Sequence, residues 1–157
     1  MQLPNEATKT AYLKAQKEAL LDAIFKNEVE VSFNNRWLDE CKTAEDKRKT
    51  KAEIARLNET ILGQIEYVGI LNEFLNESDT ELTDAQKRVF LEQRVLEQKK
   101  GNFRGVVATR LSEYRKDATE DQDVKDAEDE NIESYNNAML MNEITLELCE
   151  SLIKTLR

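Results

Sequence analysis

The chain has 157 residues, of which 35% are charged and 39% hydrophobic, and its formal net charge is −9. That length suffices for one domain with a modest core, and the shortage of apolar residues points to long helices with wide solvated faces rather than a thick globule. The sequence contains no histidine, which removes the commonest general base, the Ser-His and Cys-His nucleophile pairs, the usual nitrogen ligand of zinc and the Glu-x-x-His pattern of a di-iron bundle.

A single proline, Pro4, and four glycines, Gly63, Gly69, Gly101 and Gly105, leave few places where a helix must stop. The first helix is expected over about 5–33, opening near Pro4-Asn5 and carrying Leu13, Leu20, Leu21, Ile24 and Phe25 on one face. Its far end is ambiguous. Glu28-Val29-Glu30-Val31-Ser32-Phe33 alternates like a half-buried strand, whereas Phe25, Val29, Phe33 and Trp37 at four-residue spacing share one face of a helix. The chain offers no second strand to pair with, which favours the helix. A strand here would have to join another polypeptide, so Val29, Val31, Phe33 and Trp37 are candidate interaction residues.

The second helix is expected over 43–76, capped at Thr43 or by the box Thr50…Glu53. Ile54, Ile61, Val68 and Leu75 recur every seven residues, with Leu57 and Leu71 at the companion position, which is a coiled-coil seam. Gln64 falls at a companion position where a buried amide specifies register. Leu62, Ile65, Ile70 and Phe74 widen the stripe, so this helix is expected to touch several neighbours from the centre of the fold. Gly63 and Gly69 in the same stretch suggest close backbone approach.

The segment Asn76 to Asp84 reads as a loop, and Thr83…Gln86 as the capping box of a third helix over 84–116. Val89, Leu96 and Phe103 give that helix a weaker heptad, with Val95 and Val106 alongside. The fourth helix is expected over 119–156, capped by Thr119…Gln122. Ile132, Met139, Leu146 and Ile153 form its seam, with Tyr135, Cys149 and Leu156 as companions and Asn142 as a second register amide.

Charge is segregated: Gln86 to Lys116 carries nine basic and three acidic residues, and Asp117 to Glu133 nine acidic and one basic. A hairpin between these helices would fold the acidic start against Arg104, Arg110, Arg115 and Lys116. Alternatively Asp117, Asp121, Asp123, Asp126 and Asp129 face a basic partner. A calcium loop is disfavoured by the missing turn glycine and closing glutamate, so neither metal nor cofactor is expected. The glycines build no phosphate loop. The basic run Lys47 to Lys51 is diluted by Glu45, Asp46 and Glu53, so no direct nucleic-acid binding is expected. Cys41 and Cys149 form no CxxC and read as small core residues in a reducing compartment; with no apolar leader and no spanning run, a cytoplasmic, non-membrane protein is expected.

These readings converge on an all-α fold of long amphipathic helices in antiparallel coiled-coil-like hairpins or a bundle, forming a single elongated domain over 1–157. The expected function is a non-enzymatic structural or assembly subunit of a larger complex, such as a small phage virion component, acting through helix packing on protein partners or on itself. The alternative is an acidic helical binding module, an adaptor, assembly chaperone or inhibitor using residues 117–133.

Overall fold

The computed structural model describes residues 5–157, as four helices: α1 (Glu6–Glu40), α2 (Ala44–Leu75), α3 (Asp84–Asp117) and α4 (Gln122–Thr155). The fold is all-α, and no strand occurs among the described residues. The chain divides into two compact units, one reaching to Lys87 and one spanning Arg88–Arg157.

In the first unit, the Asn5 side chain caps α1 by accepting from the amide of Thr8 at 2.8 Å. Pro4 lies outside the described residues. The helix runs unbroken through 28–33 and on to Glu40, past the end expected at Phe33, and the strand reading is overturned. Packing decides this. Val29 is buried on α1, and Val31 packs against a core of Leu21, Ile24, Ile61, Val68 and Leu82. The hydroxyl of Ser32 and the amide of Asn34 donate to the carbonyls one turn back, at Glu28 and Glu30, so their side chains join the helix instead of competing with it. Tertiary burial overrides the β preference of the valines.

Thr43, not Thr50, caps α2, accepting from the Asp46 amide at 3.0 Å; Thr50 sits a turn further in and donates its hydroxyl to the Asp46 carbonyl. α1 and α2 lie antiparallel. Their cross-links run from Cys41 Sγ and Thr50 Oγ1 at the corner (3.5 Å), through Asn27 Nδ2 donating to Gln64 Oε1 (3.1 Å), to Lys17 Nζ on Glu77 Oε2 (2.7 Å) at the open end. The α2 seam faces α1: Leu57, Ile61, Val68 and Leu71 are buried, and Ile54, Gln64 and Leu75 are half-buried. Asn76 ends α2 in the left-handed conformation (φ 54°), the Glu77 amide returns to the Asn72 carbonyl, and the following loop carries Leu82 into the core.

In the second unit, α3 and α4 form another antiparallel pair. Thr83 and Gln86 make the expected reciprocal box at the start of α3, with the Thr83 amide donating to Gln86 Oε1 (2.9 Å) and the Gln86 amide to Thr83 Oγ1 (3.2 Å). The cap of α4 is Asp121 rather than Thr119: its carboxylate accepts from the Asp123 amide at 2.9 Å, and Thr119 Oγ1 accepts from the Asp121 amide at 3.1 Å. Aspartate is the stronger cap, and the threonine shapes the turn leading to it. α4 presents its seam inward, since Ile132, Tyr135, Met139, Asn142, Leu146, Cys149, Ile153 and Leu156 are all buried or half-buried. α3 answers with small residues. A Cβ on Gly105 would stand 2.7 Å from Met139 Cγ, and one on Gly101 would stand 3.0 Å from Asn142 Nδ2. Ala108 and Ser112 extend this row at the same three- and four-residue steps, with Ser112 buried.

Candidate interaction surfaces

The small-residue row has a consequence for the rest of α3. Val89, Leu96 and Phe103, expected as a packed seam, point to solvent, Phe103 being 73% exposed. They belong to a longer row, Val89, Gln93, Leu96, Lys100, Phe103, Val107, Arg110 and Tyr114, stepping alternately by four and three residues, and every member is exposed. The heptad signal is real, but within this chain α3 packs through its other side, where glycine, alanine and serine let the backbones approach and α4 supplies the bulk. The spacing of Gly101, Gly105, Ala108 and Ser112 was the sequence signal that could have found this.

α2 shows a related departure. It is not the centre of its unit: Leu62, Ile65, Ile70 and Phe74 are exposed, Phe74 by 75%. A Cβ added at Gly63 or Gly69 would meet nothing within 4 Å, so neither glycine serves a close approach within the chain. Gly63, Tyr67, Ile70 and Phe74 step by four, three and four along one outward face. At its end Phe74 joins Thr8, Lys9, Tyr12 and Leu13 of α1 around a groove of about 410 Å³.

Of the strand-reading candidates, Val29 is core, and Val31, Phe33 and Trp37 are half-buried along α1. The acidic block is only partly matched by α3. Lys116 Nζ reaches Asp129 Oδ1 at 2.6 Å, and Arg115 reaches Glu128 at 4.0 Å. The hydrogen bond from Lys116 to Asp129 holds that ammonium's pKa above its ordinary value, helped by the charges of Asp129, Asp117 and Asp126. Asp121 is spent on its cap, Asp126 accepts from Gln122 Nε2 at 2.8 Å, and Asp123, like Asp117, is exposed. Arg104 and Arg110, expected to join in, make no ion pair among the described residues.

In the first unit a polar notch of about 490 Å³ includes Lys14, Lys17, Glu77, Asp79 and Gln86. Lys17 is buried and tied to Glu77, whose carboxyl is held below the ordinary range, first by the hydrogen bond from Lys17. Lys17 is thereby the counter-ion of Glu77 at the open end of the α1–α2 pair. Glu28 is pushed the other way, its pKa raised chiefly by burial and further by Glu81, with Lys87 opposing. Among the described residues, no three cysteine, aspartate or glutamate side chains gather as a metal site, and no helix is long and apolar enough to cross a membrane.

No protein-family model matches the chain, and neither does any curated protein or solved structure.

Proposed function

We propose that the chain is a non-enzymatic assembly subunit that works by docking helix faces onto other polypeptides within a larger complex. The observation that supports this reading is the outward row of α3, large apolar residues at heptad spacing that the chain's own fold leaves exposed. Monomeric soluble proteins rarely leave contiguous apolar patches larger than a few hundred Å² uncovered, and such patches mark sites of association. The exposed α2 face from Gly63 to Phe74 adds a second surface of the same kind, and the ion-paired Lys17 gives no foothold for catalysis.

An acidic binding module is supported by a narrower observation: Asp117, Asp121, Asp123 and Asp126 are exposed and stay outside the two interhelical ion pairs. Both readings are tested by native gel filtration of the chain from the cells that make it, with and without Phe103→Asp and a fourfold aspartate-to-asparagine variant at these positions. The assembly reading expects elution far above 18.2 kDa, lost with Phe103→Asp and kept by the fourfold variant. Elution of the parent as a free monomer sinks it, and loss with the fourfold variant alone transfers support to the acidic module.

A further inference from the structure

We infer that the exposed row of α3 is a self-docking surface, on which two copies of the chain pair their α3 helices antiparallel about a twofold axis passing between Gly101 and Asn102. This deepens the assembly reading and rests on it. Two observations select a second copy over another class of partner.

The first is charge balance. The row and its edges carry four cations, Lys99, Lys100, Arg104 and Arg110, and three anions, Glu92, Glu97 and Glu113. The surface is therefore nearly neutral and does not call for a strongly acidic or basic partner.

The second is how those charges are arranged. Antiparallel pairing about the stated axis stacks Leu96 on Val107 and Val89 on Tyr114, apolar on apolar. The two cations inside the row never meet: Lys100 lies opposite the ring of Phe103, a cation-π geometry, and Arg110 opposite Gln93. Along one edge Glu97 falls beside Arg104 of the other copy, twice by symmetry. Neither makes an ion pair among the described residues of its own chain, so both are free for this. On the other edge Glu92 approaches Glu113 near the ends of the paired stretch, where solvent screens them. Parallel pairing in register would instead put Lys100 on Lys100 and Arg110 on Arg110 inside the seam, a penalty that sets the orientation. From Val89 to Tyr114 the helix is about 39 Å long, enough for a continuous seam.

The test uses the purified full-length chain and light scattering over a range of concentrations. The expected molar mass is twice the 18.2 kDa of the monomer. Phe103→Asp alters an exposed side chain, so helicity should be unchanged while dimer affinity falls by about 30-fold or more. Arg104→Glu should weaken the dimer, and Glu97→Arg combined with Arg104→Glu should restore it, which a merely structural role for either residue would not produce. Leu96→Cys chains mixed with Val107→Cys chains should form a disulfide dimer under mild oxidation, and neither alone should. A monomer at every concentration, a dimer indifferent to Phe103→Asp, or a charge swap without rescue overturns the inference. If the purified chain is monomeric while the chain in cells still elutes in a large complex, self-docking fails and the assembly reading stands.

Discussion

Replacing Gly63 and Gly69 together with alanine should stabilise the isolated chain. Both lie well inside α2, where glycine costs about 1 kcal/mol relative to alanine, and a Cβ at either position meets nothing within 4 Å. The pair should therefore contribute about 2 kcal/mol and raise the midpoint of thermal unfolding by roughly 4 to 8 °C. Gly105→Ala is the internal control. It gains the same helix propensity, but its methyl would stand 2.7 Å from Met139 Cγ and 2.9 Å from Sδ, and forcing that thioether aside costs about 1 to 3 kcal/mol. The net should run from about zero to about 2 kcal/mol of destabilisation. Circular dichroism during urea and thermal unfolding measures both variants against the parent. The reasoning is refuted if the Gly63/Gly69 pair destabilises, or if Gly105→Ala stabilises as much per site. A pair that is more stable alone yet enters the larger complex less readily would show that the glycines serve an incoming backbone.

Gln64→Leu should destabilise by about 1 kcal/mol, because it strands the Asn27 amide that donates to Gln64, and adding Asn27→Leu should recover most of the loss; a double-mutant cycle in urea with no coupling would contradict this. Thr83→Ala removes one half of the α3 box and should cost about 1 kcal/mol by the same measurement. The Glu28 carboxyl titrates above its unfolded value, so its ionised form opposes folding. Glu28→Gln should accordingly stabilise at neutral pH, with the gain vanishing as pH falls below the ordinary carboxylate range. Glu77 has the opposite sign. Its depressed pKa gives stability that is present above the unfolded value and lost as pH falls through the folded one, so Lys17→Met should weaken the chain at neutral pH and flatten its acid dependence. Parallel curves for parent and variants across that window would refute both assignments.

The seams of α2 and α4 were legible in the sequence because each places large apolar residues at heptad spacing and then buries them. α3 breaks the rule: Val89, Leu96 and Phe103 carry the same spacing outward, since heptad periodicity reports a face suited to packing and not whether this chain covers it. In α1 the alternation around Val29 and Val31 mimicked a strand until burial decided for a helix. Charge segregation pointed correctly to a hairpin near Lys116, but among the described residues only Lys116 and Arg115 pair with the start of α4; Arg110 belongs to the outward row of α3, and Arg104 stands about three turns further back along the helix. The outward faces of α2 and α3 are therefore what sequence alone left open, and on them the proposed function rests.

The antiparallel pairs also bear on how the chain reaches its native state. In the first unit the bonds between α1 and α2 span nine residues at the Cys41–Thr50 corner, 37 at Asn27–Gln64 and 60 where Lys17 meets Glu77 just past the end of α2. Each contact formed shortens the free loop that the next must close, so pairing can zip outward from the corner with little closure entropy at any step. The second unit begins likewise, Lys116 and Asp129 being only 13 residues apart. Such local topology places the chain among fast folders, and during synthesis the first hairpin can close before α4 has been made.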